Sequence, residues 1–264
     1  HSARFQGLKP DTLYVYRVGD GSKHWSEWIQ FRTAKSTYAP IQFVYFGDAQ
    51  NDILDHWSRV IRMAYQTAPN ASFAIHAGDL VNTAHRDHEW AQWFKAGGFL
   101  HSQWTAVPAV GNHEFSPLGR IPVGKKRVSI QWRPQFTLPV EKSLDPELYE
   151  TVYSVDYQDV RIIVLNSNDN LEQQTKYLED QLKNCTAKWK IVTCHHSVFS
   201  PARGRDFKFA RENWKPLLDK YNVDLVLNGH DHTYARGHVP VRTSESDTPE
   251  LGTVYVTSVS GPKQ

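Results

Sequence analysis

The sequence has little sulfur, no long apolar run and no excess of charge, and each absence excludes a class of protein. Two cysteines among 264 residues cannot supply a disulfide framework or a cysteine-rich zinc site. Cys194 lies in an apolar run, so we expect a buried free thiol there. No stretch reaches the ~18 apolar residues of a membrane span. The balance of 30 Lys+Arg against 28 Asp+Glu indicates no nucleic-acid surface.

Histidine, by contrast, is abundant, with 13 residues in the chain. The composition is otherwise that of a folded globular protein, since 40% of the residues are hydrophobic and 22% are charged. Histidine is the usual metal ligand and acid–base group near neutral pH. The positions of the histidines therefore indicate what chemistry the chain supports.

Residues 1–37 differ in pattern from the rest of the chain. Residues 14–18 and 28–32 alternate apolar and polar side chains as strands do, and Asp20-Gly21 between them is a turn signal. A lone β-hairpin is marginal in water. We therefore expect this region to be the remnant of a small β-sandwich, followed by a second domain over residues 38–264.

From residue 41 onward, predicted strands alternate with predicted helices, which indicates an α/β fold. The predicted strands cover residues 41–46, 73–77, 106–110, 152–157, 160–165, 189–193, 223–227 and 253–259. The predicted helices cover residues 53–67, 89–100, 173–182 and 209–221.

Five of these strands end in polar residues, namely Asp48, Asp79, Asn112-His113, His195-His196 and His230-Asp231-His232. In α/β proteins, ligands bind where the carboxyl ends of strands converge. A single Gly-Asp is usually only a turn, and a single strand-end histidine usually has a structural role. Their joint occurrence at one edge indicates a shared site.

The donor types at these strand ends indicate metal ions. Neighbouring carboxylates repel one another unless a cation pairs them. Aspartate, asparagine and histidine without thiolate suit zinc, manganese, iron or cobalt. The donors are too many for one tetrahedral ion, so we expect two ions bridged by a carboxylate, an arrangement that serves hydrolysis.

The motifs in order are Gly47-Asp48, Gly78-Asp79, Gly111-Asn112-His113-Glu114, Val192-x-x-His195 and Gly229-His230-Asp231-His232. This set resembles the calcineurin-like metallophosphoesterases and, among them, the purple acid phosphatases. The resemblance implies an α/β (α+β) fold, a four-layer αββα sandwich over residues 38–264. It also implies that residues 1–37 are part of a fibronectin type III-like β-domain.

The resemblance also assigns roles to the motif residues. Asp48 and His232 would bind the first metal, and Asp79 would bridge both ions. The second metal would be held by Asn112, His195 and His230. The cofactor would be two divalent or mixed-valence ions of manganese, zinc or iron. His113, beside a ligand, would donate a proton to the leaving group, a role that suits an imidazole.

Two positions depart from the purple acid phosphatase pattern. Asn82 replaces the tyrosine whose phenolate on Fe(III) gives these enzymes their colour. Gln50 stands where relatives that are not purple carry a ligand histidine. Either amide would coordinate weakly, or water would take its place. Because an amide cannot provide phenolate charge transfer, the sequence predicts a colourless enzyme that uses divalent ions.

Three further residues are candidates for binding substrate. Plant members have outer histidines where this chain has Gly204 and Arg205. Arg203 or Arg205 would clamp phosphate instead, since guanidinium matches its geometry; alternatively, this is only an exposed basic loop. His196 follows a ligand and should point away from it along a strand, unless the start of the loop leaves it near the substrate.

The other histidines and the tryptophans carry no motif. His76 is expected to be structural because it lies inside a strand, and His101 is expected on the solvated surface together with His24, His56, His85, His88 and His238. The three tryptophans of the 89–104 region are expected in the core, namely Trp90, Trp93 and Trp104.

The function expected from this resemblance is hydrolysis of small phosphate monoesters by water that the metals activate. A phosphodiesterase or nucleotide hydrolase on the same metal core is the alternative. A non-catalytic surface binding module is a third hypothesis, which the retained ligand set disfavours. The resemblance suggests a secreted or periplasmic location. The pattern leaves the oligomeric state open.

Overall fold

The structure is a computed structural model that describes residues 2–116, 127–240 and 251–263. Strands β1 (Leu13–Tyr16) and β2 (Ile29–Arg32) form the antiparallel hairpin that the alternating pattern predicts. The Tyr16 hydroxyl donates a hydrogen bond of 2.9 Å to the carbonyl oxygen of Ser102. The hairpin is therefore tied to the following domain by a contact far along the chain.

The first sheet has three parallel strands in the order β3-β4-β5. They are β3 (Val44–Phe46), β4 (Phe73–Ala77) and β5 (Thr105–Ala109). Its helices are α1 (Trp57–Thr67), α2 (Asp87–Gly97) and α3 (Phe99–Gln103). The sequence predicts one helix over 89–100, but Gly98 has a φ of 54° and separates α2 from α3. A positive φ ends a right-handed helix, whose residues all have negative φ.

The short strands β6 (Phe115–Ser116) and β7 (Arg127–Val128) pair with each other, and α4 (Trp132–Gln135) follows them. A second sheet then has six strands in the order β12-β13-β11-β10-β9-β8. They are β8 (Tyr153–Tyr157), β9 (Val160–Val164), β10 (Trp189–Thr193), β11 (Leu225–Asn228), β12 (Ala235–His238) and β13 (Val254–Thr257). The inner four are parallel and both edge strands are antiparallel.

Two helices accompany the second sheet, α5 (Leu171–Lys183) and α6 (Lys215–Lys220). A π-helical turn over Ala210–Trp214 leads into α6. Edge strand β12 has no counterpart in the sequence prediction. Its Ala-Arg-Gly-His sequence lacks the β-branched and aromatic residues that indicate strands, and most of it is exposed.

The two sheets pack face to face, and helices cover both outer faces. Apolar side chains of β4 and β5 meet those of β8, β9 and β10 between the sheets. Helices α1 and α2 cover the first sheet, while α5 and α6 cover the second. These are the four layers, helix, sheet, sheet and helix, that the family resemblance implies. Sheets buried on both faces explain why the strands are nearly continuous apolar runs.

The structure bears on two features of the sequence, its few cysteines and its lack of a long apolar run. Cys194 is buried as a free thiol, as expected, and Cys185 is free as well. In residues 2–116, 127–240 and 251–263, no helix combines the length and apolar character needed to cross a bilayer.

A buried aromatic cluster lies beneath α2 and α3 on the first sheet. His76 is 2% exposed, in ring contact with Trp57 and Trp93, and its Nε2 is buried without a hydrogen-bond partner. His101 stacks on Trp93 with ring centroids 3.9 Å apart. The prediction that His101 is solvated is therefore wrong, because the short helix α3 turns its ring inward. The expectation for the three tryptophans is confirmed, since Trp90, Trp93 and Trp104 are buried.

This cluster predicts a loss of stability in acid. Burial lowers the pKa of His76 to about 3 and that of His101 to about 4, whereas a histidine in the unfolded chain has a pKa near 6.5. Below about pH 6.5 the unfolded chain binds more protons, so stability present at pH 7 is lost as the pH falls toward these native pKa values. His76 alone contributes a loss of roughly 2 kcal/mol at pH 5.

Urea unfolding of metal-free protein at pH 7 and pH 5 measures this loss. A His76→Phe variant keeps the aromatic packing but has no titrating ring, so its free energy of unfolding should change less between the two pH values. The same change in both proteins would show that His76 does not carry the acid sensitivity.

Candidate metal centre

The carboxyl ends of both sheets meet at one cleft and bring the strand-end donors together. Asp48, Asp79 and Asn112 follow β3, β4 and β5, while His195 and His230 follow β10 and β11. Ligand-type atoms of Asp48, Asp79 and His195 lie within 4.8 Å of one another. Each of these three side chains is buried, so the cluster is an interior site rather than a surface group of acids.

His195 lies at the middle of the cluster. Its Nδ1 donates a hydrogen bond of 2.8 Å to the carbonyl oxygen of Ala77, and this bond fixes the ring orientation. Nε2 then lies 3.2 Å from Asp79 Oδ2, 3.1 Å from Asn112 Oδ1 and 3.1 Å from His230 Nδ1. Four donor atoms from four loops therefore converge on one small volume.

Asp48 and its neighbours form the other side of the cluster. Asp48 Oδ2 accepts a 2.8 Å hydrogen bond from the backbone N–H of His230, and Asp48 Oδ1 lies 3.7 Å from Nε2 of His232. Gln50 is fully buried, and its Nε2 donates a 3.1 Å hydrogen bond to Asp79 Oδ2. His232 is therefore next to Asp48, and Gln50 is next to Asp79.

Two buried oxygens in this cluster test whether a metal fits. Asp48 Oδ1 and Gln50 Oε1 both lack a hydrogen-bond partner. Burying polar oxygens without partners is costly, and cations are the partners that clustered carboxylate and amide oxygens usually take. Oxygen and imidazole donors in this proportion suit zinc, manganese or iron. The donor set therefore fits metal ions, and Gln50, whose amide contacts Asp79 and whose Oε1 has no partner, is a candidate ligand.

The backbone at these residues adopts uncommon conformations. Asp48, Asp79 and His230 have φ values of 45°, 51° and 68°, in the left-handed region that residues other than glycine seldom adopt. Next to His230, a Cβ on Gly229 would lie 2.3 Å from Asp48 Oδ2, so only glycine fits there. Strained backbone of this kind concentrates at functional sites.

The charges in the cluster are the carboxylates of Asp48 and Asp79 and the buried imidazole of His195. Burial, opposed by His195, raises the pKa of Asp48 to about 7. Burial alone would also raise the pKa of Asp79, but His195 and His113 hold it below its ordinary value. Burial opposes protonation of His195, yet Asp79 and Asp48 raise its pKa to about 10. A protonated His195 neutralises the carboxylates in the metal-free chain, and its Nε2 must lose that proton to bind a metal.

Glu114 holds two of the ligand loops, a role that its residue type alone did not predict. It is fully buried, and its carboxylate accepts backbone N–H groups of Asp79 at 2.8 Å, Leu80 at 2.9 Å and Gly111 at 2.7 Å. Burial and the charge of Asp79 raise the pKa of Glu114 to about 8, whereas the N–H donors of Gly111 and Asp79 favour its ionised form. The sequence marks Glu114 only as the fourth residue of the Gly111–Glu114 motif, and nothing in that motif indicates that its side chain is buried.

His113 lies beside the cluster and faces the cleft. Its backbone N–H donates a 2.9 Å hydrogen bond to Asp79 Oδ1. Its Nδ1 donates a 2.6 Å hydrogen bond to the backbone carbonyl of Asn82, which leaves Nε2 directed to the cleft. The His113 side chain is 26% exposed, and Nε2 lies 3.9 Å from Asp79 Oδ2. The ring is therefore fixed in orientation and accessible to a substrate.

Asn82 enters the site through its backbone rather than its amide. Its side-chain Nδ2 donates to Thr83 Oγ1 at 3.4 Å. The same residue lines an adjacent polar cavity of about 310 Å³ together with Asp52 and Glu89. Within the described part of the chain, the Asn82 amide therefore makes no hydrogen bond to the carboxylates of the cluster.

The two arginine candidates are placed differently. Arg205 donates to the backbone carbonyl of His230 and lies 3.5 Å from Asp231 Oδ1, so it supports the loop that carries two of the predicted ligands. Arg203 is exposed, and within the described residues it makes no hydrogen bond or ion pair. Of the two, only Arg205 reaches the site.

His196 does not point away from His195 as the strand pattern predicts, since the two ring centroids are 5.2 Å apart, and its ring packs against that of His230. The rings of His196 and His230 have centroids 4.2 Å apart, and His196 Nδ1 lies 2.8 Å from Ser167 Oγ. Burial and the neighbouring imidazoles of His195 and His230 lower the pKa of His196 to about 2. His196 is therefore a neutral ring that supports His230.

Comparison with known proteins agrees with this geometry. Residues 41–234 match the family model of calcineurin-like phosphoesterases, and residues 1–33 match that of the purple acid phosphatase N-terminal domain. A Mycobacterium tuberculosis protein, Rv2577, is 31% identical over 280 residues that cover 91% of this chain and 51% of the relative. The probable purple acid phosphatase 20 of Arabidopsis thaliana is 28% identical, with 94% of this chain and 57% of the relative covered.

Solved structures share the fold at low sequence identity. A purple acid phosphatase from yellow lupin seeds superimposes with a TM-score of 0.74 and 21% identity, covering 95% of this chain and 50% of that one. A dimetal phosphatase from Danio rerio gives a TM-score of 0.54 at 15% identity, over 83% of this chain and 87% of that one. The chain spans about half the length of the curated relatives it matches. With its fold, its strand-end motifs and the family match over residues 41–234, the chain belongs to the calcineurin-like phosphoesterases and is most similar among them to the purple acid phosphatases.

Proposed function

We propose that this chain hydrolyses phosphate monoesters at a dinuclear metal centre. The observation that supports the proposal most is the convergence of His195 with Asp79, Asn112 and His230 beside the unpartnered oxygen of Asp48. Such a cluster has no evident use in stabilising the fold, since it leaves two buried oxygens, Asp48 Oδ1 and Gln50 Oε1, without partners. The family to which the chain belongs uses a dinuclear metal centre, and its named relatives include phosphatases.

In this proposal the cleft divides into two metal positions. Asp48 and His232 would hold the first ion, and Asp79 would be shared by both. Asn112, His195 and His230 would hold the second, and Gln50, next to Asp79, would be a further ligand. When bound, the ions supply Lewis acidity, which polarises the phosphoryl group and lowers the pKa of water.

The remaining residues orient groups and move a proton. Because the Asn82 carbonyl accepts from His113 Nδ1, Nε2 is the atom that delivers a proton to the departing alcohol. Glu114 holds the backbone on which Asp79 and Asn112 are mounted. Arg205 and His196 keep His230 in place from two sides. Arg203 is exposed and could contact only the part of a substrate that extends out of the cleft.

A pair of nitrophenyl esters tests the proposal. The protein is stripped with a chelator, reloaded separately with manganese, zinc or iron, and assayed on p-nitrophenyl phosphate and bis-p-nitrophenyl phosphate. We expect faster turnover of the monoester. A preference for the diester would establish the phosphodiesterase alternative, and full metal occupancy without turnover of either ester would favour the binding module.

The His113→Ala variant tests the proposed proton donor. It should retain bound metal, since no ligand is lost, while kcat falls about 10²–10⁴-fold, as is usual for a lost general acid. The loss of kcat should be smaller for p-nitrophenyl phosphate, because nitrophenolate leaves without needing a proton. It should be larger for an alkyl phosphate, whose departing alcohol must be protonated. Loss of the metals from this variant would contradict the assigned role.

The metal-loaded protein is expected to be colourless. The position of the chromophoric tyrosine is held by Asn82, whose amide gives no phenolate charge transfer and whose side chain faces Thr83. A visible absorption spectrum of iron-loaded protein measures this. We expect no intense band, and an Asn82→Tyr variant is the matched comparison in which one should appear. An intense band in the unaltered protein would overturn the prediction.

A further inference from the structure

A segment after the last strand crosses the metal centre. Beyond β13, the backbone N–H of Ser260 donates a 2.7 Å hydrogen bond to the carbonyl oxygen of Gly47, and that of Gly261 donates a 2.8 Å bond to the carbonyl of Asp48. The Ser260 hydroxyl also donates to Gly47 at 2.6 Å. Residues 258–263, which we call the crossing segment, are therefore fixed to the loop that carries the first predicted ligand.

Gly261 allows the crossing segment to come this close. A Cβ at this position would lie 2.4 Å from the carbonyl oxygen of Asp48 and 2.6 Å from that of Gln50, and no side chain fits at such distances. Pro262 follows with its fixed φ, which restricts where the next residue is directed. The backbone therefore delivers the side chain of residue 263 to the cleft at a defined place.

That residue is Lys263, and its ammonium group lies against the proposed proton donor. Nζ is 3.3 Å from Nε2 of His113. Its positive charge also acts on Asp48 and on His232, so the cation is near the first metal position as well as near His113. Within residues 2–116, 127–240 and 251–263, the contact that the structure gives Nζ is this imidazole, and Nζ forms no ion pair with a carboxylate there. A half-buried cation with such a partner is available to an anion.

We propose that Lys263 binds the phosphoryl group of the substrate and gives the site its preference for a terminal, doubly charged phosphate. This inference rests on the proposed phosphatase function and names the residue that would distinguish monoester from diester. A phosphate monoester carries one more negative charge than a diester at neutral pH. An ammonium group is a compact charge that donates strong hydrogen bonds to phosphate oxygens, and it attracts the dianion more than the monoanion.

The position beside His113 fits this role. In the proposed function Nε2 of His113 faces the departing oxygen, and Nζ of Lys263 lies 3.3 Å from that nitrogen. A phosphoryl oxygen placed between the cluster and Nζ would replace His113 as the partner of Nζ. Lys263 therefore contacts the non-bridging oxygens, whereas His113 contacts the departing oxygen.

The test compares Lys263→Met with Lys263→Arg in metal-loaded protein, with Lys142→Met as a control at an exposed lysine. For Lys263→Met, we expect kcat/KM on p-nitrophenyl phosphate to fall about 10–100-fold, the range for a lost hydrogen bond to a charged group. The loss on bis-p-nitrophenyl phosphate should be under about threefold, since the missing charge matters less there. Lys263→Arg should keep most of the preference, and the control should match the unaltered protein.

Binding of inorganic phosphate to the metal-loaded protein, measured by calorimetry, provides a readout independent of turnover. Its Kd should rise about 10–100-fold in Lys263→Met with unchanged metal content. Equal losses on both esters with phosphate affinity intact would mean that Lys263 only positions His113, and the inference would be overturned. Unchanged kinetics and Kd would overturn it too. If neither ester is hydrolysed, the proposed function fails, while the phosphate Kd still decides the role of Lys263.

Discussion

Replacing Asp79 with asparagine is expected to remove the dinuclear site and nearly all activity. Asp79 Oδ2 lies 3.2 Å from His195 Nε2 and accepts from Gln50 Nε2, so an amide nitrogen placed there would oppose another donor. The variant also lacks the negative charge that two cations would share. We expect metal content to fall to one ion or none and kcat/KM to fall about 10³-fold or more, since a bound metal contributes several kcal/mol to catalysis.

Metal content by elemental analysis and activity on p-nitrophenyl phosphate measure the effect. Asp55→Asn is the matched control, because Asp55 is an exposed acid at the start of the first helical region. It should bind metal and turn over substrate as the unaltered protein does. An Asp79→Asn protein that keeps two ions would exclude Asp79 as the bridge.

Replacing Glu114 with glutamine is expected to have the second largest effect, although this residue is not a proposed ligand. Its Oε2 accepts the N–H groups of Asp79 and Gly111, and its Oε1 accepts that of Leu80. Glutamine has only one side-chain oxygen. Its NH₂ group would face backbone N–H donors, which would then have no acceptor. A buried unsatisfied donor costs about 1–3 kcal/mol, and disturbed support of metal ligands typically weakens metal binding about 10–100-fold.

Glu89→Gln provides a close control for Glu114→Gln. Glu89 is also buried and accepts a backbone N–H, that of Thr83, at 2.7 Å. It should lower the free energy of unfolding while leaving metal affinity nearly unchanged. Metal titration and urea unfolding of both variants separate the two effects. Equal metal affinity in the Glu114→Gln and unaltered proteins would show that the loops keep their shape without this carboxylate.

The strand-end pattern was sufficient to predict much of the fold and the membership of the cluster. Buried strands such as β4 and β10 are continuous apolar runs, and the residue after each run is fixed in space by the sheet. For this reason Asp79 and His195 could be expected in one cleft although they are far apart in sequence. The family to which the motifs point was confirmed by the match over residues 41–234.

Side-chain direction was harder to predict than position. His101 was expected in solvent, but α3 is a single short turn of helix with no periodicity to indicate its buried face. The backbone carbonyl of Asn82 orients His113. The sequence could not indicate this, because the departure from the family pattern at position 82 concerns only the side chain. Lys263 lies after the last strand, outside every motif, and only the close approach of Gly261 to Asp48 brings it to the cleft.

The division of the cluster between two sheets has a thermodynamic consequence. Asp48, Asp79 and Asn112 are mounted on one sheet, whereas His195, His230 and His232 are mounted on the other. Neither half alone offers the complete donor set, so metal affinity and docking of the two halves are linked equilibria. Metal at 100 times its Kd would add about 2.7 kcal/mol to the cohesion of the halves. Removing the metal with a chelator should therefore weaken the packing between the two sheets before either sheet unfolds.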